Sequence, residues 1–472
     1  MQPLWSFSEL SAALGSDAEG GSARVVTGIS IDTRTLEPGD LFVALKDQRD
    51  GHDFVAAAFK AGAAAALVAE SYQRQAGDGA LFKVADPLKA LEALGRAARQ
   101  RLYPSARVIA VTGSAGKTGT KEMLRACLAN LGPTHASEKS YNNHWGVPLT
   151  LARMPRDTRY AVFEIGMNHA GEIRPLAKMV RPHAAIVTTV EAVHLEHFAN
   201  VEAIADAKAE IFEGLMPGGA AIIKHDNPHA SRLKIIAERL GAKPVSFGFS
   251  AAADVCGENL ELAIDGSDMT VRIGNESLCL RLAMPGRHIA ENALAAVGAL
   301  AAVGADLKPA VAALAGLAPP SGRGSRIRLR IDGGEALLID ESYNANPASM
   351  RAALATLGAV PRQKFLRRIA VLGDMLELGE GAPQLHIGLK EAVDEAGVDL
   401  IFACGRHMKG LYDALPEAKK GSYALTAASL EEILTSNLRR GDVVMVKASN
   451  GTRLGPIVTA LKTRFGEDGA AS

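Results

Sequence analysis

Three features of the sequence predict an α/β fold in three parts. The length of 472 residues corresponds to about three domains at about 150 residues each. Apolar, β-branched runs alternate with helical stretches over residues 107–223 and again over 336–447, which is the rhythm of open parallel sheets. Between the two alternations stands the clearest linker of the chain, Pro319-Pro320-Ser321-Gly322. The expected division is a small mixed α/β domain over 1–84, a central domain with a phosphate-loop-type open sheet over 85–318, and a second α/β domain over 319–472.

In the first part, residues 25–31 and 41–45 read as strands, separated by the turn Glu37-Pro38-Gly39-Asp40. Residues 54–61 read as a helix before the apolar strand 65–68. Asp86-Pro87 opens a helical connector that Tyr103-Pro104 ends. Val108-Ile109-Ala110-Val111 then has the all-apolar composition of a parallel strand buried on both faces. Further strands are expected at 160–165, 184–189 and 220–223, with helices at 117–131, 172–180 and 201–215. Residues 254–282 read as antiparallel strands and 289–317 as an alanine-rich helical stretch. Beyond the linker, strands at 336–339, 369–372, 400–404 and 443–447 alternate with helices at 346–357, 384–396 and 430–438.

Composition narrows the function classes. Lys plus Arg and Asp plus Glu each number 52, so there is no global charge to draw nucleic acid. Hydrophobic residues make up 48% and charged residues 22%, the ordinary range of a folded globular chain. Cys127, Cys256, Cys279 and Cys404 form no Cys-x-x-Cys pair, which fits a reducing compartment. The opening stretch has no basic and apolar signal regions. The longest run without a polar side chain, 293–305, falls short of the roughly 20 residues that span a bilayer. A cytoplasmic monomer is expected, and secreted, membrane-spanning and disordered classes are disfavoured.

The strongest chemical signal is Val108-Ile-Ala-Val-Thr-Gly-Ser-Ala-Gly-Lys-Thr118. A strand runs into the small residues Gly113, Ser114, Ala115 and Gly116, and Lys117-Thr118-Gly119 opens a helix. Glycine lets backbone N–H groups close on phosphate oxygens, lysine supplies a point charge, and threonine offers a hydroxyl to Mg2+. Val111 stands where the full G-x-x-x-x-G-K-S/T pattern has its first glycine. A plain glycine-rich turn is the competing reading, but the flanking strand and helix favour phosphate. Glu164 closes the strand 160–165, and His194 follows the strand 184–189. In an open α/β sheet ligands sit beyond the carboxyl ends of strands, so these groups can converge on Mg2+ and nucleotide. Taken singly, Glu164 is as well read as a solvated carboxylate and His194 as a core or surface imidazole. His194 and His197 have no further ligand at a zinc spacing. Lys208, flanked by Asp206 and Glu210 on its helix, reads by itself as a solvated, acid-paired side chain. The residues alone predict an ATP- and Mg2+-dependent enzyme whose transferred group is undetermined.

Several segments together carry a resemblance. They are Asp32-Thr33-Arg34, Thr112 to Thr118, Tyr141-Asn142-Asn143-His144, Glu164-Ile-Gly-Met-Asn-His169 and His194-Leu-Glu196. Ala207-Lys-Ala-Glu-Ile-Phe212, Pro285-Gly-Arg-His288 with Asn292, and Asp340-Glu-Ser-Tyr-Asn-Ala-Asn-Pro347 complete the set. In their order and number they resemble the Mur ligases, ATP-dependent amide-forming enzymes of peptidoglycan precursor synthesis, over essentially the whole length. The Tyr-Asn form of the Asp340 segment points to the branch that adds D-alanyl-D-alanine to UDP-N-acetylmuramoyl-tripeptide.

The resemblance implies a UDP-sugar-binding first domain, a central ATPase domain and a Rossmann-like third domain. It implies that the loop Gly113 to Gly119 holds ATP, with Lys117 on the β- and γ-phosphates and Thr118 on one of two Mg2+ ions. Glu164 would support that ion and His194 would help hold the second. Lys208 would carry a CO2-derived carbamate, an anionic oxygen ligand for Mg2+. Asn292 would read adenine, Asp340 the ribose, and Arg323 the phosphates, with Arg326 and Arg328 as nearby alternatives. Asn142 and Asn143 would touch the muramoyl peptide, and Asp32, Thr33 and Arg34 the uridine. The stretch Lys447-Ala-Ser-Asn-Gly-Thr-Arg453 departs from the more usual Lys-Gly-Ser-Arg of the family. Phosphorylation of the terminal carboxylate, followed by attack of the dipeptide amine, is the implied chemistry. A related ligase for folate or another amino acid, and a nucleotide switch that ligates nothing, are the alternatives.

Overall fold

The computed structural model describes residues 3–21, 23–138, 140–193, 195–331 and 333–466. Among these residues the strands form four sheets. The first segment pairs β1 (Trp5–Ser6) with β3 (Val25–Val26), with helix α1 (Phe7–Leu14) following β1. Ser6 caps α1 reciprocally with Glu9, a two-way box that satisfies otherwise orphaned N–H groups. A five-stranded sheet follows in the order β2-β7-β6-β5-β4, built from β2 (Ala18–Glu19), β4 (Gly28–Ser30), β5 (Asp40–Val43), β6 (Ala65–Ala69) and β7 (Ala80–Val84). Helix α2 (Val55–Lys60) lies between β5 and β6. The strand expected at 25–31 is thus divided at Thr27, its two halves serving different sheets.

Helix α3 (Pro87–Gln100) starts where Asp86 accepts the N–H groups of Leu88 and Lys89, with Pro87 pre-setting the first turn. It buries Leu91, Leu94 and Ala98 at helical spacing. These residues share one core cluster with Leu67 and Phe82 of the first sheet and with Val108 and Ala110 of the next. The hydrophobic core is therefore continuous across residue 84.

The central sheet has the order β16-β15-β14-β13-β12-β11-β8-β10-β9. Its strands are β8 (Arg107–Thr112), β9 (Thr134–Ala136), β10 (Tyr160–Glu164), β11 (Ala184–Val187), β12 (Ala220–Lys224), β13 (Lys243–Gly248), β14 (Val255–Ala263), β15 (Gly266–Ile273) and β16 (Glu276–Leu282). Strands β8 to β13 are parallel and β14 to β16 antiparallel. On β8, Val108 and Ala110 enter one core cluster while Ile109 and Val111 enter the other, the period-two signature of a strand covered on both faces. The covering helices include α4 (Lys117–Ala129), α5 (Gly146–Ala152), α6 (Ile173–Val180), α7 (Val201–Ala209), α8 (Ala230–Arg239) and α9 (Arg287–Ala302). The stretch expected as helical over 289–317 breaks after α9, where Gly304 takes φ +72, before α10 (Leu307–Val311) begins.

The last sheet runs β17-β18-β22-β19-β20-β21, from β17 (Ser325–Ile331), β18 (Gly334–Glu341), β19 (Arg367–Gly373), β20 (Leu400–Cys404), β21 (Lys420–Ala424) and β22 (Asp442–Lys447). Helix α11 (Pro347–Gly358) begins at Asn346, which caps it reciprocally with Ser349. Two core clusters cover this sheet and draw their members from residues 327–465, so the third part has a core of its own. Among the described residues no helix is long and apolar enough to cross a membrane.

Candidate active site

Register brings the site together. Val111 of β8 pairs with Glu164 of β10, and Thr112 pairs with Val187 of β11. Three strand ends therefore stop at one level, facing the ends of β18 and β22, where Glu341 pairs with Lys447. A cavity of about 570 Å3 lies between these two sets of ends, and residues of both line it.

Its floor is the turn from β8 into α4. Gly113 takes φ +149, and a Cβ there would sit 1.9 Å from Thr188 Oγ1. Gly116 takes φ +83, and a Cβ there would sit 2.4 Å from Asn292 Oδ1. Both positions require glycine, for conformation and for space. Thr188 donates to the Ala115 carbonyl, and the Ser114 N–H donates to the Thr189 carbonyl at 2.9 Å, so the end of β11 moulds the turn. Gly113→Ala is expected to weaken nucleotide binding at least about tenfold and to cost about 1–3 kcal/mol of stability through overpacking. Nucleotide titration and thermal unfolding would read both effects.

Lys117 Nζ turns back on the Gly113 carbonyl at 2.7 Å. Enclosure pushes this lysine below its ordinary pKa, Glu164 opposes the change, and the Arg323 guanidinium adds to it. Thr118 Oγ1 donates to Glu164 Oε2 at 2.9 Å, and Asn142 Nδ2 donates to Glu164 Oε1 at 2.8 Å. Glu164 is 1% exposed, a buried carboxylate with both oxygens engaged. Asn142 lines the cavity, whereas Asn143 turns its side-chain oxygen to the Gly146 N–H at 2.9 Å, at the start of α5.

Lys208 is 2% exposed in the last turn of α7. A solvated lysine was the expectation from the residues alone; the fold buries it. Loss of water drives its pKa well below the ordinary lysine value, and Lys117 repels it further. His194 lies outside the described residues. Among the described residues, no three His, Cys, Asp or Glu side chains gather as a metal-holding group.

The third domain contributes from the other side. Of the three arginines near the linker, Arg323 lines the cavity. Arg326 donates to the Ile264 carbonyl beside a neighbouring cavity, with its pKa pushed down to about 10 by burial. Arg328 is exposed on β17. Asn292 lines the cavity, but Asp340 lines an adjoining cleft. The Asp340 carboxylate accepts the N–H groups of Gly322 and Ser342, each at 3.2 Å, and the Ser342 hydroxyl at 2.6 Å. Outside this cavity's lining, Asp32 pairs with Arg34 at 2.6 Å, with Thr33 between them. This turn follows β4 beside a cavity of about 540 Å3 lined by Thr35, Tyr141 and Arg153.

Sequence reasoning assigned no role to three side chains that join the sheets here. Tyr343 Oη donates to Ser140 Oγ at 2.8 Å, and Asn346 Nδ2 approaches the Ser114 carbonyl at 3.5 Å. Tyr343 and Asn346 lie in the Asp340 segment, so the motif marked their neighbourhood; no spacing marks Ser140.

Comparison with known proteins agrees along the chain. Family models match in succession: the Mur ligase family catalytic domain over residues 25–132, the Mur ligase middle domain over 111–300, and the Mur ligase glutamate ligase domain over 322–450. The UDP-N-acetylmuramoyl-tripeptide–D-alanyl-D-alanine ligase of Escherichia coli K12 is 36% identical over 96% of this chain and 98% of its own length. Its Bacillus subtilis 168 counterpart is 34% identical over 93% of each chain. A crystal structure of MurF from Acinetobacter baumannii superposes with a TM-score of 0.84 at 31% identity, covering 98% of this chain and 99% of that one. MurF of Thermotoga maritima in complex with ADP, at 24% identity and a TM-score of 0.78 over 93% of this chain and 97% of that one, shares the fold. With a glycine turn set among strand ends in register and this likeness over nearly every residue, the chain belongs to the Mur ligase family.

Proposed function

We propose that the chain is the ligase that joins D-alanyl-D-alanine to UDP-N-acetylmuramoyl-tripeptide at the expense of ATP, in peptidoglycan precursor synthesis. The observation that carries this reading is one cavity in which Lys117, Thr118, Glu164 and Asn142 face Arg323, in a chain whose full-length relatives bear that activity in their names. The enzyme works as a cytoplasmic monomer. Residues 1–84 hold the UDP-sugar around Asp32, Thr33 and Arg34, 85–318 bind ATP, and 319–472 close over it.

A carboxylate is a poor electrophile because its leaving group would be oxide. An oxygen of the tripeptide carboxylate therefore attacks the γ-phosphorus, the bond to the β-phosphate oxygen breaks, and ADP departs. The dipeptide amine then adds to the acyl carbon, loses its proton, and the tetrahedral intermediate expels phosphate to leave the amide. Triphosphate, carboxylate and oxyanion meet in one place, so fixed positive charge is the main requirement. Lys117 exchanges the Gly113 carbonyl for a phosphate oxygen, an ion–ion contact replacing an ion–dipole one. Arg323 approaches the same phosphates from the third domain. Asn292 faces the adenine beside Gly116, and Asn142 positions the muramoyl peptide.

The donor set fits Mg2+. The Thr118 hydroxyl and the Glu164 carboxylate, 2.9 Å apart, are hard oxygen ligands, and so small a set suits an ion that keeps waters and phosphate oxygens. Thr118, Glu164, His194 and a carbamylated Lys208 are the residues that would hold two Mg2+ ions, which when bound would supply charge neutralisation at the transferring phosphoryl group. Lys208 fits a carbamate because CO2 adds only to an unprotonated amine, and burial shifts this lysine toward that form. The carbamate would turn a cation that metals repel into an oxygen ligand.

Phosphate release from ATP, measured with one component omitted at a time, tests this function. Release that requires both UDP-N-acetylmuramoyl-tripeptide and D-alanyl-D-alanine supports it. Release driven by glutamate and a folate, or by ATP alone, overturns it. Asp340 is assigned to the ribose, although its oxygens also hold the linker N–H of Gly322 and the N–H and hydroxyl of Ser342. Asp340→Ala is expected to raise the ATP KM about tenfold and to cost about 1–3 kcal/mol, because it leaves the N–H groups of Gly322 and Ser342 and the Ser342 hydroxyl without their acceptor. A selective rise in the KM for the dipeptide would argue against the ribose role.

A further inference from the structure

We propose that Tyr343 is a positioning residue that ties the orientation of Arg323 to the seating of the third domain on the central one. The proposal rests on the reading of Arg323 as a phosphate-contacting group. Three contacts converge on this tyrosine. The Arg323 guanidinium lies 4.1 Å from the centre of its ring, where the ring quadrupole attracts a cation. Its hydroxyl donates to Ser140 Oγ at 2.8 Å, two residues before Asn142, whose amide holds Glu164. Its backbone N–H donates to the Gly322 carbonyl at 3.1 Å. Gly322 takes φ +72, and a Cβ there would sit 2.8 Å from Tyr343 Cβ, so the linker segment carrying Arg323 is wrapped against the tyrosine.

One residue thus touches the linker through its backbone, and through its side chain the arginine the linker delivers and the segment that orients the carboxylate of the opposite domain. Ring and hydroxyl do different work. The ring restricts a long, flexible guanidinium to the side of the cavity where phosphate is expected, which reduces the rotamer freedom lost on binding. The hydroxyl finds Ser140 only while the two sheets keep this separation. If the third domain swings away, Tyr343 loses that partner and carries Arg323 with it. Arg323 is presented to the phosphates only when the peptide-binding segment is also in place.

Full-length Tyr343→Phe, Ser140→Ala, the double variant, Tyr343→Leu and Arg323→Ala separate these roles in phosphate-release kinetics. Tyr343→Phe and Ser140→Ala should each lower kcat about three- to tenfold, with the double variant no worse than either single one. Both should keep the ATP KM within about twofold, because the ring stays under Arg323. Tyr343→Leu should in addition raise the ATP KM about tenfold, toward that of Arg323→Ala. Effects of Tyr343→Phe and Ser140→Ala that multiply, or a Tyr343→Leu ATP KM equal to that of Tyr343→Phe, overturn the proposal. An unchanged ATP KM in Arg323→Ala overturns the phosphate reading of Arg323 itself, and the proposal falls with it. If Tyr343→Leu does not fold, the Phe–Ala cycle alone decides.

Discussion

Lys117→Ala should lower kcat/KM for ATP by about 10²–10³-fold, the usual consequence of removing one preorganised charged donor from a reacting centre. The loss belongs to chemistry rather than to folding. Among the described residues the ammonium hydrogen-bonds the Gly113 carbonyl, and burial already disfavours its charged form. Alanine is also a better helix former than lysine at the start of α4, by a small margin. The thermal midpoint of the nucleotide-free variant should therefore match or slightly exceed that of the parent, while phosphate release collapses at saturating substrates. Turnover within threefold of the parent would remove the phosphate loop from the mechanism. A variant that fails to fold would instead make Lys117 a structural group.

Lys208→Met has the larger expected effect, with opposite signs on activity and stability. Activity should fall at least about 10³-fold, because a methionine can neither carry a carbamate nor supply an oxygen ligand. Stability should rise. The unfolded lysine binds its proton up to an ordinary pKa of 10.5, whereas the folded one is pushed well below that value by burial and by Lys117. Between the two values the unfolded chain holds more protons than the native one, so the contribution of this group to stability grows with pH through that window. In CO2-free, nucleotide-free buffer at pH 7, the methionine variant should melt higher than the parent. The gap should close toward pH 10. A lower melting temperature at every pH would mean that the fold does not strain to hold this lysine. Lys208→Ala, which leaves room in the site, should regain part of its activity with added short carboxylates; no recovery would argue against the carbamate.

The turn from β8 into α4 was legible in the sequence because its constraints are local. A buried strand, two obligatory glycines, a lysine and a threonine must follow one another within Val108 to Thr118 for the turn to form at all. The alternation on either side was legible for the same reason, since a doubly covered strand such as β8 must be apolar at successive positions. Helix α5 was not: every residue from Gly146 to Ala152 is buried, so it shows no amphipathic period to read. Lys208 was read as solvated because Asp206 and Glu210 flank it; nothing in that local pattern reports that its helix face turns inward.

By itself the sequence determined the α/β class, the glycine turn from β8 into α4 and, through the order of its motifs, the family. The tertiary structure decided which side chains share a cavity. It separated Asn142 from Asn143, chose Arg323 over Arg326 and Arg328, turned the Asp340 carboxylate toward the linker, and buried Lys208. Each of these outcomes depends on the register of strands far apart in the chain, Val111 against Glu164 or Glu341 against Lys447. Register is settled by packing on both faces of a sheet, and a motif read along the chain carries no record of it.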